Sequence, residues 1–276
     1  MRVGLLQLNV GDDPAANLTT TRALFDDAVA QGAEFVLTPE VTNCLSFDRS
    51  YQRGVLRPEP QDPTLAGLRD AARTHGIWVL IGSLALRTAD PDGRFANRSF
   101  LIDPEGRIAA RYDKIHMFDV TVSEAEIYRE SAGYRPGGRA TLARTPWGDL
   151  GMTICYDLRF PQLYRRLGQA GADMLAIPAA FTATTGRAHW EVLLRARAIE
   201  TGAFVLAPAQ TGAHAVTAER TLHTHGHSMI VSPWGEIVLD AGTEPGAYVA
   251  DIDLGAVAAT RARIPSLTAE PAWKGP

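Results

Sequence analysis

Residues 2–10 carry apolar side chains at Val3, Leu5, Leu6, Leu8 and Val10, which predicts a buried strand closed by Asp12-Asp13-Pro14. The spacing then turns helical over residues 17–31, with Leu18, Ala23, Leu24, Phe25, Ala28 and Val29 as its apolar positions and Gly32 as its stop. Residues 34–38 predict a short buried strand, followed at once by Pro39 and Glu40. A second helix over 64–74 stops near Gly76, and a long apolar strand spans 77–86. Residues 95–102 and 107–112 predict a hairpin around Asp103-Pro104-Glu105-Gly106. Residues 117–138 show no clear period and are expected to form a loop; loops this long inside compact folds are often functional.

The alternation resumes in the second half. Strands are expected at 150–154, with Cys155 at the end, at 173–177 and at 203–207, separated by helices at 161–171 and 189–202. Three further strands, 226–231, 236–240 and 247–252, are joined by turns that include Pro233-Trp234-Gly235. This order predicts an α/β fold with a hairpin-rich portion. No Gly/Ser or Pro linker divides the chain, so 1–276 is read as a single domain. The two halves share an order of elements without a repeat of fixed period.

Composition narrows the function classes. With 276 residues, 46% hydrophobic, the chain can bury a large core. Charged residues make up 21% and the net charge is −4, ordinary for a soluble globular protein. No basic block interleaved with aromatics is present, so no nucleic-acid partner is expected. The first residues lack the long apolar stretch of a signal peptide, and no run of about 18 apolar residues suggests a membrane span. Two cysteines, Cys44 and Cys155, do not make a disulfide framework, and a reducing cytoplasm is the expected compartment.

Three residues stand just beyond predicted strands: Glu40, Lys114 and Cys155. Taken singly each has an ordinary explanation, as a cap or surface carboxylate, a surface lysine and a buried thiol. Taken together they converge on one sheet edge, where open α/β folds place ligands. A Cys, a Glu and a Lys form a sensible set for amide hydrolysis. The thiol forms a thioester. The carboxylate takes the thiol proton, gives it to the leaving amine and later activates water. The ammonium stabilises the oxyanion, with the Tyr156 N–H as second donor. Backbone N–H groups at the turn holding Cys155 are expected to lower the thiol pKa.

The stretches Leu37-Thr38-Pro39-Glu40, Tyr112-Asp113-Lys114-Ile115-His116 and Ile154-Cys155-Tyr156-Asp157-Leu158-Arg159-Phe160-Pro161, in that order, resemble the nitrilase superfamily of carbon–nitrogen hydrolases. The resemblance runs from Val3 to about Pro265, leaving a C-terminal tail from about 266. It implies a four-layer α-β-β-α sandwich, no metal, no organic cofactor, a small-molecule amide substrate, and homodimers or larger homo-oligomers packed through the helices after the nucleophile strand and the next one. It also implies a second glutamate ahead of Pro136-Gly137, matched by Glu130, with Glu124 and Glu126 as alternatives. The stretches Gly186 to Glu191, Leu194 to Thr201 and Gly226-His227-Ser228-Met229 look most like the branch of deaminated glutathione amidases and omega-amidases. Tyr156-Asp157 departs from the Cys-Trp-Glu of true nitrilases, and residues 181–186 match the family's pocket loop only loosely. An N-carbamoyl or other aliphatic amide remains the alternative substrate.

An α-keto dicarboxylate amide calls for a cation, and Arg159 and Arg187 are the expected carboxylate partners. Arg159 serves equally as a structural anchor. His189 is expected to begin a helix at the pocket. His223, His225 and His227 alternate along a predicted strand but lack accompanying Cys or carboxylate ligands, so no metal is assigned to them. Cys44 reads as a core filler, Arg195 and Arg197 as ordinary ion-pairing residues, and Gly137-Gly138 as a turn.

Overall fold

The computed structural model describes residues 1–124, 126–269 and 275. Its first half contains β1 (Arg2–Gln7), α1 (Pro14–Ala30), β2 (Phe35–Leu37), α2 (Arg49–Val55), α3 (Pro63–His75), β3 (Trp78–Leu86), β4 (Ala96–Ile102), β5 (Ile108–Asp113), β6 (Asp119–Thr121) and β7 (Ile127–Arg129). The second half contains β8 (Thr141–Arg144), β9 (Asp149–Met152), α4 (Pro161–Gln169), β10 (Met174–Ala176), α5 (Ala183–Thr201), β11 (Phe204–Ala207), β12 (Thr211–Ala215), β13 (Thr221–His225), β14 (Met229–Val231), β15 (Ile237–Asp240), β16 (Gly246–Asp251) and α6 (Gly255–Arg263).

Two six-stranded sheets follow, in the orders β16-β1-β2-β3-β4-β5 and β15-β14-β11-β10-β9-β8. Successive strand residues point to opposite faces, and the sequence exploits that twofold alternation. In the first sheet Leu5, Leu37, Leu80 and Leu101 face the second sheet, where Leu150, Met152, Met174 and Ala176 meet them. Their neighbours Leu6, Val36, Ile81 and Ile102 face outward, onto Phe25 and Ala28 of α1 and Leu68 and Ala72 of α3. Trp190 and Leu194 of α5 and Tyr164 and Leu167 of α4 cover the second sheet. The result is the expected α-β-β-α sandwich. Each fully buried Leu, Ile or Phe in it contributes about 1.5–3 kcal/mol.

The ends of the elements show where local chemistry decided. Helix α1 starts at Pro14 rather than at 17 because the Asp13 carboxylate accepts from the N–H groups of Ala15 and Ala16. Helix α5 starts at Ala183, six residues earlier than its apolar pattern suggests, and ends on Gly202 at φ 57°. The stretch expected to be a loop, 117–138, contains the small antiparallel pair β6 and β7. Helices α2 and α6, strand β8 and the β12–β13 hairpin were not signalled by periodicity; they are short and mix polar with apolar residues. At the C-terminal side Leu267 is buried beside Gly168, and Gln169 Nε2 donates to its carbonyl at 3.2 Å. Residues 270–274 and 276 of the expected tail lie outside the described residues.

Candidate active site

Strands β1, β2 and β3 run parallel, and β5 shares their direction because it pairs antiparallel to β4, itself antiparallel to β3. Strands β9, β10 and β11 are parallel in the other sheet. Glu40, Lys114 and Cys155 follow the carboxyl ends of β2, β5 and β9, and all three line one cavity of about 330 Å³.

The Glu40 segment is forced close to β3. A Cβ on Gly82 would overlap the Thr38 carbonyl, so only glycine fits there. Gly82 N–H donates to Thr38 Oγ1 at 3.0 Å, and Val41 N–H to Ser83 Oγ at 2.8 Å. Val41 itself sits at φ 49°, a costly conformation for a β-branched residue. Cys155 also sits at φ 49°, at the start of a single 3₁₀ turn. Its own N–H donates to Pro178 O at 2.9 Å, and the Asp157 N–H to Ile154 O at 3.1 Å. The Tyr156 N–H between them makes no hydrogen bond among the described residues.

Lys114 is 2% exposed and bridges two carboxylates. Its Nζ lies 2.8 Å from Glu40 Oε1 and 2.8 Å from Glu130 Oε2. Of the three loop glutamates, Glu130 alone reaches it: Glu124 is exposed, and Glu126 accepts from Thr184 Oγ1 at 3.0 Å. Glu130 also accepts the Phe118 N–H at 2.6 Å, which ties its loop to the lysine. Asn97 Nδ2 donates to Glu40 at 2.9 Å and to Glu130 at 3.3 Å. Asn97 was not foreseen from sequence. The available signal was an amide inside an apolar strand, directly across the hairpin, whose carbonyl accepts the Lys114 N–H at 3.0 Å.

The charge states follow from burial and these partners. Burial pushes the Glu40 carboxyl up, but the Lys114 charge and hydrogen bond, aided by Cys155 and Asn97, hold it below the ordinary carboxylate value. Burial pulls the Lys114 ammonium down; the charges of Glu130 and Glu40 overcome it and hold the group well above its ordinary value. Burial and then the Glu40 charge push the Cys155 thiol well above its ordinary value, against the opposing pull of Lys114 and the Ala180 N–H. The expectation of a lowered thiol pKa is therefore reversed, because burial and then the Glu40 charge outweigh nearby N–H dipoles. At neutral pH the site holds a thiol, a carboxylate and an ammonium, with all three lining the same cavity.

Arg159, Arg187 and His189 do not line this cavity. The Arg159 guanidinium lies over the Phe181 ring at 5.1 Å, with Nη1 3.3 Å from His189 Nδ1. Arg187 and His189 are exposed on α5, and His189 lies in its body rather than at its start. The cavity's arginines are Arg49, Arg129 and Arg220. Cys44 also lines it, fully buried, with its thiol pushed up to about 12 by burial and by Asp12 and Asp13. His223 and His225 lie on β13, whereas His227 lies beyond it and pairs with Asp240 at 2.9 Å.

Residues 2–262 match the carbon–nitrogen hydrolase family model. A deaminated glutathione amidase of Synechocystis is 42% identical over 264 residues, 95% of each chain. The NitFhit protein of C. elegans superposes with a TM-score of 0.89 at 33% identity; the match covers 98% of this chain and 64% of that longer one. An amidase from Nesterenkonia, with acrylamide added to its active-site cysteine, superposes with a TM-score of 0.77 at 26% identity, over 96% of this chain and 98% of that one.

Proposed function

The chain belongs to the carbon–nitrogen hydrolase family, within the nitrilase superfamily, and from that premise we propose that it is a thiol-dependent amidase acting on an α-ketoglutaryl amide such as deaminated glutathione. The observation that carries this reading is the meeting of Cys155, Glu40 and Lys114 in one cavity, with Lys114 Nζ hydrogen-bonded to Glu40 at 2.8 Å.

Glu40 takes the thiol proton as Sγ attacks the amide carbonyl. Because the resting thiol is protonated, proton transfer and attack are coupled rather than sequential. The oxyanion forms against the Lys114 ammonium and the Tyr156 N–H. Glu40 then gives its proton to the leaving amine, and the thioester remains on Cys155. Water, deprotonated by Glu40, attacks the thioester and releases the acid and the free thiol. Glu130 and Asn97 keep the Lys114 and Glu40 head groups in register throughout.

The substrate assignment is supported by the Synechocystis relative and by a cavity bearing several arginines. The second expectation carried forward is a homodimer formed through α4 and α5, in keeping with exposed Val192 and Ile199 on α5. Among the described residues no helix is long and apolar enough to cross a membrane. The test is hydrolysis of deaminated glutathione and of α-ketoglutaramate by the wild type and by Cys155→Ala. Turnover of the tripeptide by the wild type alone is expected. Preference for α-ketoglutaramate would move the substrate to that of an omega-amidase, and activity surviving in Cys155→Ala would sink the mechanism.

A further inference from the structure

Although the whole chain has a net charge of −4, its cavity is lined by Lys114, Arg49, Arg129 and Arg220 against only two carboxylates, Glu40 and Glu130. Both carboxylates are bonded to Lys114. The surplus positive charge therefore rests on the arginines, and their seats differ. Arg129 is exposed, and its guanidinium is occupied by the carbonyls of Val120 and Tyr128 at 3.0 and 2.7 Å.

Arg49 is held differently. Its Nη1 donates to Gln52 Oε1 at 2.8 Å, and its guanidinium lies 5.0 Å from the Tyr134 ring centre. Gln52 is itself fixed, donating to Ser46 O at 2.8 Å and to the Tyr134 hydroxyl at 3.2 Å. A Cβ on Gly133 would overlap the Arg49 guanidinium, so the glycine makes the niche. Arg220, on the turn between β12 and β13, is clasped by Phe47 at 5.2 Å and Tyr128 at 4.9 Å. Tyr128 leads back to Cys155 through ring contacts with Phe118, and of Phe118 with Tyr156, at 5.0 and 5.1 Å. Neither Arg49 nor Arg220 has a carboxylate partner among the described residues. Among the described residues Arg220 Nη2 donates only to the Ile127 carbonyl, at a long 3.4 Å. A guanidinium mounted on aromatic rings, with no carboxylate of its own, is preorganised for one.

We infer that Arg49 and Arg220 are two separate carboxylate anchors, so that the preferred substrate is an amide carrying two carboxylates. This rests on the amidase reading above and specifies the charge pattern of its substrate. A single-carboxylate amide would engage one anchor only.

Steady-state kinetics of Arg49→Gln and Arg220→Gln test it, with Arg144→Gln as a charge control whose side chain is 89% exposed. Each cavity variant is expected to raise KM for deaminated glutathione about 10-fold or more, the loss expected for a charge-assisted pair, and to change KM more than kcat. Only one of the two should also raise KM for α-ketoglutaramate, which has a single carboxylate. An unchanged KM in either variant, or an equal change with the control, overturns the inference. So does an equal effect of both variants on α-ketoglutaramate, which would mean that they share one carboxylate. If the wild type hydrolyses neither amide, the amidase reading fails for these substrates and calorimetry decides the anchors. Binding of deaminated glutathione to Cys155→Ala that is lost on adding either arginine change supports them; binding that is absent or indifferent to those changes overturns them.

Discussion

The Tyr112 hydroxyl donates to Asp157 Oδ2 at 2.7 Å, joining a residue two positions before Lys114 to one two positions after Cys155. Asp157 is fully buried and also accepts from the Ile154 N–H at 2.9 Å and the His116 N–H at 3.0 Å, with His116 Nδ1 at 2.7 Å. One carboxylate thus fixes the lysine-bearing and cysteine-bearing segments to each other across the two sheets. Removing it strands several buried donors. Asp157→Ala is expected to destabilise the fold by about 3 kcal/mol or more, and Tyr112→Phe by about 1–2 kcal/mol, in urea unfolding. Costs below about 0.5 kcal/mol for both would show that the link is incidental.

The Glu40–Lys114–Glu130 group gives stability a defined pH window. Glu40 is held below its ordinary 4.5, so its contribution is present above pH 4.5 and is lost as pH falls through the lower folded value. Lys114 is held above its ordinary 10.5, so its contribution is full below pH 10.5 and is lost as pH rises through the folded value. Lys114→Ala leaves the buried Glu40 carboxylate without its cation, beside the half-buried Glu130, and should cost about 3–5 kcal/mol at pH 7. The cost should shrink on acidification, as the Glu40 carboxyl protonates. A pH-independent cost would refute the ion-pair account.

Cys155 should be slow toward a small neutral alkylating reagent that lacks an amide group. With its thiol held well above the ordinary 9.0, the inactivation rate is expected to keep rising between pH 7 and pH 9. Cys44, pushed up to about 12, adds little in that range. A rate that levels off near pH 7 would mean a preformed thiolate and a different division of labour with Glu40.

Glu40→Gln keeps the shape but removes the base. The kcat for the amide substrate is expected to fall about 10²- to 10⁴-fold, with no acid-side loss of wild-type kcat/KM between pH 5 and pH 7. A wild-type activity that halves near pH 6 would point to another group as the base.

Val192 is 67% exposed and Ile199 52%, about two turns apart on one face of α5. If this face meets a second copy, Val192→Asp should shift sedimentation from dimer to monomer while leaving the unfolding midpoint of the monomer near that of the wild type. Wild-type protein that sediments as a monomer at micromolar concentration would remove the dimer expectation.

Much of the framework was legible because strand and helix periods are properties of local sequence. The long strands at residues 2–7 and 78–86 and the hairpin at 96–113 carry side chains that must be buried on one or both faces. Elements without such a stripe were not legible. Strand β12, with the sequence Thr-Gly-Ala-His-Ala, has nothing apolar enough to announce it; its partner β13 supplies the ladder that defines it. Helix α5 extended into residues read as a loop because its first two turns are held by tertiary neighbours, including the Thr182–Thr224 bridge.

Residue chemistry by itself determined that a thiol, a carboxylate and an ammonium stand at strand ends, since motif and strand period lie along the chain. The tertiary structure decided their protonation and their company. Whether Cys155 is a thiol or a thiolate depends on burial and on the Glu40 carboxylate, which comes from the other sheet. Which arginines line the cavity depends on how α2 and the β12–β13 turn fold over it, so Arg49 and Arg220 are there and Arg159 and Arg187 are not. Electrostatic energy depends on distance and dielectric, and neither is written in local sequence; both are set only when segments more than a hundred residues apart close on one another.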